Sequence, residues 1–332
     1  MESKYVLAAV GVLVAVVFII AALLGPLSGT IEQDDQEDEQ SFVVEDATGN
    51  EIRFDEPPER IVSFMASNTE LLFHLEVGER IVGVDDFSDY PEEAVAIQNV
   101  GDSLEVDYEK IVDLEPDVMV ITEAVIHMRD EMENYGIKCF VTGGNTLEDV
   151  YSDLELLGEM CGVPERGEEK AQELREDMND ITEDTKDLPE YERVDVLYIS
   201  GIFEGINTPG EGTFQNTLFT NAGFNNIASD KIGWATISEE DIVMRDPDVI
   251  IAPYYLEESI SEYTEKDSWQ DITAVVEDEI HFVDGDIMSR PGPRIVEAQE
   301  TLVDINEEAE TNLSLSWSIS SKELAEGTCL TL

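Results

Sequence analysis

The stretch Val106-Asp107-Tyr108-Glu109-Lys110-Ile111-Val112-Asp113-Leu114-Glu115-Pro116-Asp117-Val118-Met119-Val120-Ile121 returns later in the chain as Ile237-Ser238-Glu239-Glu240-Asp241-Ile242-Val243-Met244-Arg245-Asp246-Pro247-Asp248-Val249-Ile250-Ile251-Ala252. One constant offset separates Glu109 from Glu240, Pro116 from Pro247, Asp117 from Asp248 and Val118 from Val249. Each copy reads as a capped short helix, a Pro-Asp turn and a buried apolar strand. Repetition of a supersecondary unit fixes architecture before any residue has a role. The expected fold is α/β, with two similar lobes, mainly parallel sheets and a ligand cleft between the lobes.

The surrounding sequence supplies the rest of each lobe. Phe42 to Phe54 alternates around Thr48-Gly49-Asn50 and predicts a hairpin. Arg60 to Phe64 and Ile81 to Val84 predict strands, and Ser67-Asn68-Thr69-Glu70 reads as the cap of a helix between them. Between Thr146 and Leu188 strand formers almost vanish. Leu147, Val150, Tyr151, Leu154, Leu157 and Cys161 keep helical spacing, and Ala171, Leu174, Met178 and Ile181 resume it after Gly162-Val163-Pro164. This segment predicts one long rigid helix joining the lobes. The second lobe opens at Val194 to Ile199, passes a Gly-rich segment from Asn207 to Gly212, and ends in a helix from about Arg294. The expected organisation is 1–28 anchor or signal, 29–41 acidic linker, 42–145 first lobe, 146–189 connecting helix, 190–306 second lobe and 307–332 polar tail.

Of 332 residues, 77 are acidic and 18 basic, a net charge of −59. Nucleic acid and anionic headgroups need clustered Lys and Arg, so the balance excludes them as partners. Acids spread along the whole chain read as a surface adapted to a very salty solvent, where screening shortens to a few ångströms. Tyr5 to Leu24, continued by Gly25-Pro26-Leu27, is nearly unbroken apolar sequence, about the length that spans a bilayer. Secretory h-regions are shorter and no clear Ala-x-Ala site follows, so residues 5–27 read as an uncleaved membrane anchor, with a cleaved signal as the alternative. Either way the remainder is extracytoplasmic. Cys139 and Cys161 read as small packed hydrophobes, with mutual pairing the alternative, and Cys329 lies in the polar tail.

No catalytic constellation emerges. His74, His127 and His281 lack metal-ligand spacing, and no Gly-x-Ser-x-Gly, Walker or His-Glu-x-x-His motif occurs. The expectation is a protein that is not an enzyme, with no catalytic residue, no bound metal and no cofactor. Glu109 and Glu240, taken singly, are ordinary first-turn helix glutamates favoured by the helix dipole. Their matched placement, one per lobe, makes them candidates for symmetric docking onto a partner with two basic sockets. Arg290 and Arg294 bracket Pro291-Gly292-Pro293, with Asp286 one helical turn before Arg290, in a loop where α/β folds place ligand groups. Tyr90, Phe203, Trp234, Tyr254 and Tyr255 are aromatic candidates near strand ends, able to cover a flat ligand or to pack in the core.

Together these residues resemble the helical-backbone class of ABC-transporter substrate-binding proteins, which capture cobalamin, ferric siderophores and haem. The likeness spans roughly residues 50–305. It rests on Pro57-Pro58-Glu59-Arg60-Ile61-Val62-Ser63, Ser67 to Leu71, Val82-Gly83-Val84, Ser88-Asp89-Tyr90-Pro91, both Glu-to-Pro repeats and Arg290 to Arg294. The resemblance implies that Glu109 and Glu240 engage arginines of a membrane permease that works with an ATPase. It is nearest to the cobalamin-binding branch, with Tyr90 and Trp234 at pocket aromatics and Asp286 with Arg290 at a polar pair. Cobalamin binders of this type carry further tryptophans where this chain has Ser103 and Thr122. The implied function is capture of a corrinoid, with a ferric siderophore or haem as the alternative. An extracytoplasmic sensor or adhesin on the same fold is the rival of another class.

Overall fold

A computed structural model describes residues 41–327, with side chains through Leu315. The anchor, most of the acidic linker and Cys329 lie outside the described residues. The predicted hairpin is β1 (Phe42–Glu45) against β2 (Glu51–Phe54), antiparallel, with Gly49 at φ +79° in its turn. Asp46 holds the turn by accepting from the backbone N–H of Thr48 and Asn50, at 3.0 and 3.1 Å.

The first lobe comprises β3 (Ile61–Ser63), α1 (Ala66–His74), β4 (Ile81–Val84), β5 (Gln98–Asn99), α2 (Tyr108–Asp113), β6 (Val118–Thr122), α3 (Arg129–Asn134) and β7 (Lys138–Thr142). Its five strands are all parallel, in the order β5-β4-β3-β6-β7. Ser67 to Glu70 do not cap α1 as expected. The helix begins earlier, and these four polar residues form its buried first turn. Three of them find side-chain partners inside: Thr69 bonds Ser63 and Ser88 at 2.8 Å, Asn68 donates to the Phe64 carbonyl at 3.0 Å, and Glu70 accepts from Arg294.

The connecting segment is two helices rather than one, α4 (Leu147–Met160) and α5 (Pro164–Ile181), which pack against each other. A capping box between Thr146 and Asp149 starts α4. Gly162 at φ +72° ends it, and Pro164 opens α5 at the position where a missing N–H costs nothing. The fold-back needs glycine on both sides, since a Cβ on Gly158 would lie 2.8 Å from the Gly167 Cα.

The second lobe follows as β8 (Val194–Tyr198), β9 (Gly201–Ile202), β10 (Ile206–Pro209), α6 (Phe214–Asn221), β11 (Phe224–Asn226), β12 (Trp234–Ile237), α7 (Glu239–Arg245), β13 (Val249–Pro253), α8 (Glu257–Thr264), α9 (Thr273–Val276), β14 (Ile280–Val283), α10 (Gly285–Ser289) and α11 (Ile295–Gly327). β11-β8-β13-β14 form a parallel sheet, and β12-β10-β9 an antiparallel one. The expected break into a polar tail at residue 307 is absent. Helix α11 runs on because Leu302, Ile305, Ala309 and Leu313 form a buried stripe, packed in part on α5. One apolar core then runs from Ile61, Val118 and Phe140 through Leu154, Leu157 and Leu174 to Val196, Phe219 and Leu302. Burial of this continuous core ties both lobes to the helical pair.

The repeat is structural as well as textual. Ile111 and Ile242 are both fully buried, and Glu115 and Asp246, each before a proline, both take φ +46°. The Asp117 carboxylate accepts the Arg60 N–H at 2.9 Å, while the Asp117 N–H donates to the Arg60 carbonyl at 2.8 Å. Asp248 makes the same two bonds to Asp195, at 3.0 and 2.8 Å. Each Pro-Asp turn thus clamps the start of its lobe's first strand and fixes the register of the sheet.

Candidate functional site

The two parallel sheets direct the C-terminal ends of their strands at one another. Gly144 and Asn145, just after β7, meet lobe two: Gly144 faces the Pro291 ring, and Asn145 accepts the Phe214 N–H at 3.1 Å. Asp89 and Tyr90, after β4, meet the loop that follows α10. This is the edge at which open α/β sheets hold ligands. Large aromatic side chains stay out of the core on both lobes: Phe87 and Tyr90 after β4, Tyr254 and Tyr255 after β13, and Phe203 and Trp234 in the β12-β10-β9 sheet region are all exposed. Leaving such surface uncovered on so acidic a chain marks an interaction site.

An ionic cluster closes the junction. Glu70 of α1 has a side chain only 2 % exposed. Arg294 donates to it through Nε at 3.0 Å and Nη2 at 2.6 Å, a forked pairing that only a guanidinium provides. Arg290 reaches Glu70 at 3.3 Å, Asp89 at 2.8 Å and Asp286 at 2.9 Å. The Arg294 guanidinium also lies over the Tyr90 ring, 4.1 Å from its centroid. Both arginines are held further toward the charged form by these carboxylates, against the opposing pull of burial. A concavity of about 330 Å³ opens beside them, lined by Tyr90, Pro91, Pro293, Arg294, His74 and Glu297 among others.

Two buried acids support the same edge. The Asp85 carboxylate accepts from the Ser88 hydroxyl, and burial raises its pKa. Asp153 of α4 accepts the Gly143 N–H at 2.9 Å, and burial pushes it up to about 7. Cys139 and Cys161 are buried and unpaired, and burial lifts both thiols to about 12.

Of the sequence candidates, Tyr90, Asp286 and Arg290 come together at the junction. Trp234 is outside this cluster. It is exposed on β12, opposite Pro209 of β10. Glu109 and Glu240 occupy matching exposed positions in the first turns of α2 and α7. Both predicted caps form: Asp107 accepts the Lys110 N–H at 3.0 Å, and Ser238 accepts the Asp241 N–H at 3.1 Å. Neighbouring Glu239 is committed elsewhere, to Lys266 at 2.9 Å and the Trp269 indole at 3.1 Å. The larger concavity, about 840 Å³, lies beside Glu240 and takes in Glu204, Val243 and Met244; none of the junction residues lines it. Sequence reasoning misses Glu70 and Asp89, and the one signal toward them is the arginine-flanked Pro-Gly-Pro loop, whose guanidinium groups need carboxylates opposite them.

Two α/β lobes on a helical support, with aromatics and an ionic junction where their strand ends meet, define a solute-binding protein of the two-lobed periplasmic type. Residues 61–286 match the Periplasmic binding protein family, and the chain belongs to it. Members of this family are solute-binding components of ABC importers. The chain is 28 % identical over 300 residues to the uncharacterized ABC transporter substrate-binding lipoprotein YvrC of Bacillus subtilis, covering 87 % of this chain and 95 % of that one. It is 26 % identical over 250 residues to the vitamin B12-binding protein of Vibrio cholerae, covering 74 % and 87 %. Among solved structures, a possible iron-binding periplasmic solute-binding protein from Staphylococcus epidermidis superposes with a TM-score of 0.66 at 26 % identity, covering 75 % and 99 %.

Proposed function

We propose that this protein captures cobalamin or a related corrinoid outside the cytoplasm and delivers it to an ABC permease and its ATPase. The observation that carries the reading is the ionic junction of Asp286 and Arg290 with Tyr90 beside it, accompanied by further exposed aromatics on lobe two, Trp234 foremost. Rigid aromatic faces cover a broad flat ligand at little entropic cost, and one charged pair orients it. Similarity to the Vibrio B12-binding protein supports the corrinoid, and similarity to the Staphylococcus protein supports an iron chelate as the second reading. The shared core through α4, α5 and α11 favours a largely preformed cleft, so affinity draws little on ordering.

Glu109 and Glu240 serve as permease-docking residues in this reading. They are exposed, matched by the repeat and free of the commitments that hold Glu239. Residues 5–27 tether the chain to the membrane, and the acidic surface keeps it soluble in concentrated salt. Replacing both glutamates by alanine abolishes corrinoid uptake by the reconstituted transporter while leaving ligand affinity unchanged. Undiminished uptake by that double variant would refute the docking role.

A further inference from the structure

The junction holds three carboxylates, Glu70, Asp89 and Asp286, against two guanidinium groups, Arg290 and Arg294. Both arginine side chains are nearly buried, at 11 % and 12 % exposure. Arg294 spends one edge on Glu70 and one face on Tyr90. Arg290 spends Nη1 on Glu70 and Asp89, and Nη2 on Asp286. Glu70 is sealed in, but Asp89 and Asp286 are 60 % and 48 % exposed, so they are the carboxylates an incoming ligand meets. The other loops after the parallel strands add Asp86, Asp102, Glu123 and Asp284, and among cations only Lys231, which follows Asp230.

We infer that Asp89 and Asp286 set the charge class of the ligand: by occupying Arg290 they leave the cleft no free guanidinium, so it takes neutral or cationic ligands and rejects carboxylate-bearing chelates. An anionic group entering beside Arg290 would have to displace one of these carboxylates and would face the other at close range. Contact-range interactions of this kind survive molar salt, which screens only beyond a few ångströms. The inference rests on the reading of this edge as the ligand cleft, and it separates a neutral corrinoid from a dianionic porphyrin of similar breadth.

The test uses the full-length chain, solubilised in molar KCl, titrated with cyanocobalamin as the neutral probe and haemin as the dicarboxylate probe. The proteins are wild type, Asp89→Asn, Asp286→Asn and the double variant. Wild type is expected to prefer cyanocobalamin by about a hundredfold or more. The double variant is expected to bind haemin about tenfold more tightly than wild type, the scale of one charge-assisted hydrogen bond. Adding Arg290→Gln to the double variant is expected to erase the haemin gain. Tighter binding of haemin by wild type, or no gain in the double variant, would overturn the charge selection while keeping a ligand cleft. Binding of neither probe by any of the proteins would instead remove the capture reading and the selection with it.

Discussion

Replacing Glu70 by glutamine tests whether the ionic junction ties the lobes together. The glutamate side chain is 2 % exposed and accepts from Arg294 twice, at 3.0 and 2.6 Å, and from Arg290 at 3.3 Å. Glutamine keeps the shape but removes the charge and turns one acceptor into a donor aimed at a guanidinium. Arg290 retains Asp89 and Asp286, whereas Arg294 loses its ion-pair partner at 12 % exposure. Breaking a buried pair from one side costs about 3–5 kcal/mol. Because only one of the two arginines is stranded, a loss of about 3 kcal/mol is expected. Urea unfolding in molar KCl, followed by the fluorescence of the fully buried Trp269, reads it directly. The double variant Glu70→Leu with Arg294→Met should lose less than the single one, since it leaves Arg290 still paired and strands no charge at Arg294. A loss below about 1 kcal/mol for Glu70→Gln would refute the claim that this pair secures the junction.

Trp234 is 57 % exposed, so Trp234→Ala should leave the unfolding midpoint unchanged while weakening corrinoid binding by about 1–3 kcal/mol; destabilisation without a change in affinity would make it a packing residue. Asp153 has a folded pKa of about 7, above the unfolded value of about 3.9, so the folded state holds its proton more tightly. Its contribution is therefore most favourable below about pH 4 and declines as pH rises through 7, by up to about 4 kcal/mol. Asp153→Asn keeps the acceptor for the Gly143 N–H and should remove that decline, so the stability difference between variant and wild type should widen from pH 4 to 8. A difference that stays flat with pH would show that Asp153 ionises freely in the folded protein.

Much of this fold was legible because it is written twice. The two Glu-to-Pro copies placed α2 with β6 and α7 with β13, and the Pro-Asp clamps they make are local consequences of their own sequence. The break at Gly162-Val163-Pro164 was visible too, but the fold-back of α5 onto α4 depends on the meeting of Gly158 and Gly167, which no periodicity reveals. The full length of helix α11 is hard to read because its acidic residues hide a stripe only one side chain wide at Leu302, Ile305, Ala309 and Leu313. At the site, Asp286 and Arg290 were readable as a pair because they stand one helical turn apart. Glu70 was not, since its arginines lie more than two hundred residues away and a glutamate before Leu71-Leu72 looks like any helix surface position. Only the meeting of two lobes turns it into the anchor of the cluster.

Ligand capture at the facing strand ends is the role on which all the others depend. Its most direct test is an equilibrium titration of the full-length protein with cyanocobalamin in molar KCl, following corrinoid absorbance and tryptophan fluorescence. One site per chain is expected, with a sub-micromolar dissociation constant, of the order set by about −8 kcal/mol or better, lost or much weakened in Trp234→Ala. Absence of saturable binding, or saturable binding indifferent to Trp234, would contradict it.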